Sequence, residues 1–137
     1  MRIRPATPAD LPRIYQVRHG TAENRLDDPS LVTEQEVDWY MREGVFLVAE
    51  HDGVQGFCCA NPQTGYVWAL FVIDGQHGRG YGTALLDAAT ARLREAGHRQ
   101  SFLTTQAGSR AEGFYAARGW RPTGRALDGG VVYRLWL

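Results

Sequence analysis

The chain has 137 residues, enough for one domain of ordinary size and too few for two. An apolar fraction of 44% can fill a single core, and 22% charged residues exclude a disordered composition. Lysine plus arginine and aspartate plus glutamate each number 15, so no charge excess argues for nucleic acid, an anionic membrane or a strongly charged partner.

The start, Met1-Arg2-Ile3-Arg4-Pro5, lacks the apolar stretch of a signal peptide. The longest apolar run, residues 66–73, is far shorter than the roughly 20 residues of a spanning helix. A cytoplasmic location is therefore expected. Cys58 and Cys59 are sequence neighbours that point to opposite faces of a strand, which predicts reduced thiols. Without CxxC spacing or clustered histidines, no metal is expected.

Residues 2–4 alternate as a short first strand. Thr7-Pro8-Ala9-Asp10 reads as a helix start, with threonine as cap, proline at the first helical position and an acid near the positive end. Leu11, Ile14, Tyr15 and Val17 continue it, and Gly20 closes it. Residues 21–32 read as a loop. Thr33-Glu34-Gln35-Glu36 is a capping box opening a second helix through Val37, Tyr40 and Met41, which ends near Gly44. Residues 45–50 and 54–60 flank His51-Asp52-Gly53 as a hairpin, since Asp-Gly is a strong tight-turn signal. After the turn Pro62-Gln63-Thr64-Gly65 comes the run 66–73, whose lack of alternation predicts a central strand buried on both faces.

A glycine-rich segment then leads into a helix over 81–96, with Leu85, Ala88, Ala89 and Leu93 on one stripe and Gly97 at its end. A strand over 101–105, a helix over 109–118 stopped by Gly119, and strands over 120–124 and 131–137 complete the chain. The order predicts one α/β (α+β) domain spanning 1–137, a mixed sheet with helices on both faces.

The segment Asp74-Gly75-Gln76-His77-Gly78-Arg79-Gly80-Tyr81-Gly82-Thr83 joins an apolar strand to the longest helix. The first amides of that helix have no internal partners and sit at the positive end of its dipole, and glycines at 78, 80 and 82 leave room for a bulky anion. A phosphate or pyrophosphate cradle follows. The Gly-Lys-Ser/Thr ending of a Walker site is absent, and Thr83 occupies the third glycine position of a dinucleotide fingerprint. About thirty residues downstream lies Phe114-Tyr115-Ala116-Ala117-Arg118-Gly119-Trp120.

Together the two segments resemble the GNAT superfamily of N-acetyltransferases. Leu70-Phe71-Val72 followed by His77-Gly78-Arg79-Gly80-Tyr81-Gly82 is similar to the family's acetyl-CoA motif, and Phe114-Tyr115 with Gly119-Trp120 to its tyrosine-bearing helix and following strand. The resemblance implies a mostly antiparallel twisted sheet of about seven strands with a V-shaped cleft between two central strands. It implies that Leu70, Phe71 and Val72 hold the pantetheine arm, with the Val72 amide as an oxyanion donor. His77, Gly78, Arg79, Gly80, Tyr81, Gly82 and Thr83 supply the pyrophosphate site. Tyr115 protonates or hydrogen-bonds the leaving thiolate, an ordinary phenol near ~10 being a weaker acid than a thiol near ~8.5.

The implied co-substrate is acetyl-CoA and the implied partner a small-molecule amine. A protein or peptide acceptor and a non-catalytic acyl-CoA sensor are the alternatives. His77 replaces the usual Gln or Arg, and Gly108 stands where many members carry an asparagine, so that contact is not assigned. Neither residues 66–73 nor 101–105 contain a carboxylate; Glu50, His51, His19 or water are left as the base, which favours a low-pKa amine. The final apolar strand is expected to offer an edge to a second copy.

Overall fold

A computed structural model describes residues 1–19 and 34–137. Gly20, the loop 21–32 and the capping Thr33 lie outside the described residues. The first strand, β1 (Arg2–Pro5), runs antiparallel to β2 (Val45–Glu50), with Arg2 opposite Glu50. Between them Arg4 reaches two carboxylates, Asp10 at 2.8 and 2.9 Å and Glu50 at 2.8 and 3.2 Å. Asp10 also accepts the Thr7 amide at 2.8 Å. The expected helix start is thus a 3-10 turn, Pro8–Asp10, that continues into α1 (Leu11–His19). Asp10 ties this turn to β1, and the Arg4 guanidinium holds its carboxyl down at about 2.

After α2 (Glu34–Glu43), β2 and β3 (Val54–Ala60) form the expected hairpin. Its turn places Asp52 at φ 53° and Gly53 at φ 92°, the left-handed pair that suits the twist of flanking strands. Next, β4 (Val67–Val72) pairs with β3, giving an antiparallel sheet β1-β2-β3-β4. The long helix is α3 (Tyr81–Glu95). A second sheet has the order β5-β7-β6, from β5 (Gln100–Thr105), β6 (Arg121–Arg125) and β7 (Val131–Trp136), with α4 (Arg110–Ala117) between β5 and β6.

Each sheet face has its own core. On one, Leu47, Cys58 and Val67 meet Leu85, Leu86 and Leu93 of α3, together with Leu103, Tyr115, Trp120 and Tyr133. On the other, Val48, Phe57, Cys59 and Ala69 meet Ile14 and Val17 of α1 and Val37 and Tyr40 of α2. Cys58 and Cys59 therefore serve opposite cores, as strand alternation requires. Each of the three leucines of α3 is at most 1% exposed, so each contributes about 1.5–3 kcal/mol. That burial fixes α3 across the sheet, and with it the loop that leads into it. Tyr40 is buried and its ring stacks on Trp68 at 4.6 Å, so the α2 aromatic pair holds the strand rather than facing outward.

The run 66–73 forms β4, which pairs with β3 along its length and meets the second sheet through one parallel bridge, Tyr66 to Phe102, so β4 and β5 splay as the V-shaped cleft requires. Its apolar composition reflects helices on both faces, while the edge toward β5 stays open. One expectation changes: β7 lies between β5 and β6, so both of its edges are taken and it offers none to a second copy. The outer strand is β6, whose two arginines and Pro122 discourage edge pairing.

Candidate active site

The cleft originates at Gly65. Its carbonyl accepts the Phe102 amide at 3.2 Å and the Ser101 hydroxyl at 2.7 Å. Gly65 has φ 84°, and a Cβ there would stand 2.9 Å from the Gln100 carbonyl, so only glycine closes this joint. Beyond it β4 and β5 separate, and each is held by its own sheet. A cleft of about 590 Å³ opens, walled by Leu70 and Val72 of β4, the loop 76–80, the start of α3, and α4.

The β4 edge presents backbone to this cleft. The Ile73 amide donates to the Gln55 carbonyl at 2.9 Å, toward β3. Backbone groups alternate sides along a strand, so those of Phe71 also turn to β3 and those of Leu70 and Val72 turn toward β5, into the opening. The Phe71 side chain lies on the far face, tilted against Phe57 at 5.3 Å with the Arg18 guanidinium 5.0 Å from its ring.

The glycine loop adopts its shape because of backbone conformation. Gly75, Gly78 and Gly80 have φ of 88°, 82° and 85°, a region closed to most residues. Gly80 is the residue preceding α3, and its carbonyl takes the first helical bond, from Ala84 at 3.0 Å. The amides of Tyr81, Gly82 and Thr83 therefore precede the helical ladder, at the positive end of a fifteen-residue helix. Gly82 has a different role from its neighbours. A Cβ there would meet the Phe114 ring at 3.2 Å, so glycine at 82 lets α4 approach α3. His77 lies 3.6 Å from Asp74, an ion pair when the imidazole is protonated.

On the opposite wall, Tyr115 is 7% exposed and is enclosed by aromatic edges: Phe114 at 5.3 Å, Trp120 at 5.9 Å and Tyr133 at 6.3 Å. The Gly119-Trp120 signal thus marks the residue that packs behind the tyrosine. Glu112 accepts the Gly108 amide at 2.7 Å and the Tyr133 hydroxyl at 2.9 Å, which together hold its carboxyl below the usual range. Arg118 donates to the Thr83 hydroxyl at 2.7 Å and to the Phe114 carbonyl at 2.9 Å.

Of the residues expected at the site, Leu70, Val72, His77, Gly78, Gly80, Tyr81, Gly82, Thr83 and Tyr115 line this one cleft. Phe71 and Arg79 do not. Sequence reasoning passed over Gln76, Arg110, Ala111 and Arg118, which also line it. The available signal for Arg118 was its position four residues after Phe114, the spacing at which helical side chains meet; its guanidinium lies 3.8 Å above that ring. Two arginines and no carboxylate line the cleft, a lining that suits an anion. The candidate bases sit elsewhere: Glu50 is paired with Arg4 at 2.8 Å, and His51 is exposed in the β2–β3 turn. His19 is an exposed residue ending α1. Among the described residues no group of three or more metal-ligating side chains is assembled. No helix among them is long and apolar enough to cross a membrane.

The model of the Acetyltransferase (GNAT) family matches residues 11–120, which include the β4–α3 loop and the Tyr115 helix. The chain belongs to the GNAT family of N-acetyltransferases. No curated protein matches the sequence. Among solved structures, a GCN5-related N-acetyltransferase from Rhodopseudomonas palustris superposes with a TM-score of 0.83 at 18% identity, covering 99% of this chain and 95% of the other. A ribosomal-protein-alanine N-acetyltransferase from Brucella melitensis gives 0.81 at 22% identity, covering 100% of both. The PaiA N-acetyltransferase from Thermoplasma acidophilum, in complex with coenzyme A, gives 0.79 at 14% identity, covering 99% and 98%. At such identities these likenesses speak for the GNAT fold.

Proposed function

We propose that this GNAT protein transfers the acetyl group of acetyl-CoA directly to the primary amine of a small molecule, both substrates being bound together. One observation carries the proposal: a splayed β4 edge, the leading amides of α3 and Tyr115 converge on a single cleft lined by arginine and by no carboxylate. These residues fit a long anionic thioester. The amides at 78–83 and the dipole of α3 suit a diphosphate, and the backbone of Leu70 and Val72 suits an amide-bearing arm laid along the strand.

Acetyl-CoA supplies an activated acyl group. Within the cleft the Val72 amide is the donor toward the thioester oxygen, where charge builds as the amine attacks. Tyr115 is assigned to the departing sulfur, to which it gives a hydrogen bond or a proton. No lining carboxylate is available to take a proton from the amine, so an acceptor that is already largely neutral at pH 7 is favoured. That describes an α-amine near ~8 better than a lysine-like amine near ~10.4.

Release of free thiol should be followed with a panel of small amines, peptides with free N-termini, and lysine analogues. The sequence contains no lysine, so background acetylation of the protein's own side chains is suppressed. Turnover confined to small amines supports the reading, and turnover confined to peptides moves the acceptor to a protein N-terminus. Thiol release that never exceeds uncatalysed hydrolysis defeats it. Tyr115→Phe should lower kcat about a hundredfold with unchanged affinity for coenzyme A; equal kcat in both forms removes Tyr115 from the reaction.

A further inference from the structure

The residue missed most plainly by the sequence, Arg118, sits where α3 and α4 meet. Helix α4 has eight residues and one buried side chain, Tyr115, with Ala111 and Phe114 partly buried against the same core. A helix this short gains from ties at its ends, which add to that packing in holding its position. At the first end the tie is Glu112, bridging the Gly108 amide and the Tyr133 hydroxyl of β7. At the second end the tie is Arg118. Its Nε donates to Thr83 Oγ1 at 2.7 Å, one terminal nitrogen donates to the Phe114 carbonyl at 2.9 Å, and its Cζ lies 3.8 Å from the Phe114 ring centroid. That same ring rests on Gly82, where no Cβ intervenes.

We propose that Arg118 is a positioning residue: through Thr83 it locks the start of α3 to the helix that carries Tyr115, and so sets the distance between the diphosphate-binding amides and the Tyr115 phenol. The proposal rests on the acetyl-CoA reading above. The joint contains Gly82 and Thr83 on one side and Phe114 and Arg118 on the other. Tyr115 is the residue next to Phe114, so any movement of the joint is a movement of the phenol. A guanidinium can stack on a ring while donating to two acceptors in its own plane, and an ammonium cannot. Charge alone therefore does not replace Arg118. A shift of about 1 Å at a reacting group costs up to about a hundredfold in rate, which makes the joint kinetically important although it touches no reacting atom.

Thr83→Val and Arg118→Lys separate this role from direct ligand binding. The first keeps the shape, the Thr83 amide and the arginine; the second keeps the charge. Calorimetry with coenzyme A, amide exchange over residues 110–117 with and without it, and steady-state kinetics with an accepted amine give three readouts. Kd for coenzyme A is expected to stay within about threefold in both variants, while kcat falls about tenfold at unchanged KM for acetyl-CoA. The double variant should be no worse than the worse single one, because both remove one joint. In wild type, coenzyme A should slow exchange across 110–117, and this slowing should be lost in both variants. The idea is overturned if Thr83→Val keeps full kcat and full protection, or if the Arg118→Lys defect appears wholly as a raised Kd. The apo proteins test the joint independently: Thr83→Val should speed exchange over 110–117 about fivefold and leave 85–95 unchanged. If wild type binds no coenzyme A, the function proposed above fails, and the apo exchange still decides whether the joint exists.

Discussion

Gly80 permits a test of why the glycine loop is built as it is. It precedes α3 at φ 85°, and a Cβ placed on it meets nothing within 4 Å. Space is therefore no constraint in the free protein, and conformation is the whole constraint. Alanine in a left-handed conformation costs about 1–2 kcal/mol, offset by about 0.4–1 kcal/mol from the stiffer unfolded chain. The net loss for Gly80→Ala is about 1 kcal/mol. With an unfolding entropy near 2.1 cal/mol/K per residue over 137 residues, that lowers Tm by about 3–4 °C. Asparagine tolerates the left-handed region, so Gly80→Asn should recover about half of the loss. Thermal unfolding followed by circular dichroism measures both variants. An alanine variant as stable as wild type, or an asparagine variant no better than alanine, refutes the conformational argument. Coenzyme A calorimetry then separates a second effect. A tenfold weaker Kd, about 1.4 kcal/mol, in the Asn variant despite its recovered stability assigns the bare backbone to ligand approach as well.

Further expectations concern groups away from the cleft. Asp10 is held near 2 by Arg4, below the ordinary value of 3.8, so its ion pair stabilises the fold above about pH 4. That contribution, about 1–2 kcal/mol for a partly exposed pair, is lost as pH falls from about 4 through 2. Asp10→Asn should be less stable than wild type at pH 7 and should converge with it near pH 2 in urea titrations; a constant gap across that range counts against the assignment. Burial pushes the Cys58 thiol up to about 12 and the Cys59 thiol also well upward. Neither should react with an alkylating thiol reagent at pH 8 until denaturant is added, and prompt labelling of native protein contradicts the packing.

Much of the architecture was written in local chemistry. Asp52-Gly53 specified a hairpin because few other pairs adopt consecutive positive φ. Leu85, Ala88, Ala89 and Leu93 specified one face of α3, and the spacing of Gly78, Gly80 and Tyr115 within a recognisable pattern pointed to a thioester cleft. These signals are short-range, each being decided within a few residues of chain. Gly82 was legible as part of a glycine cluster, yet its reason was not, because the atom it accommodates belongs to Phe114, more than thirty residues away.

The sequence by itself determined the order of elements, the family, the loop at the start of α3 and the tyrosine of α4, since each follows from backbone preference or from a local motif. Only the tertiary structure decided that β7 has no free edge, that Phe71 faces away from the cleft and that Arg118 reaches Thr83. Those three facts depend on which strands become neighbours and on side chains meeting across distant segments. Local preferences carry no information about either.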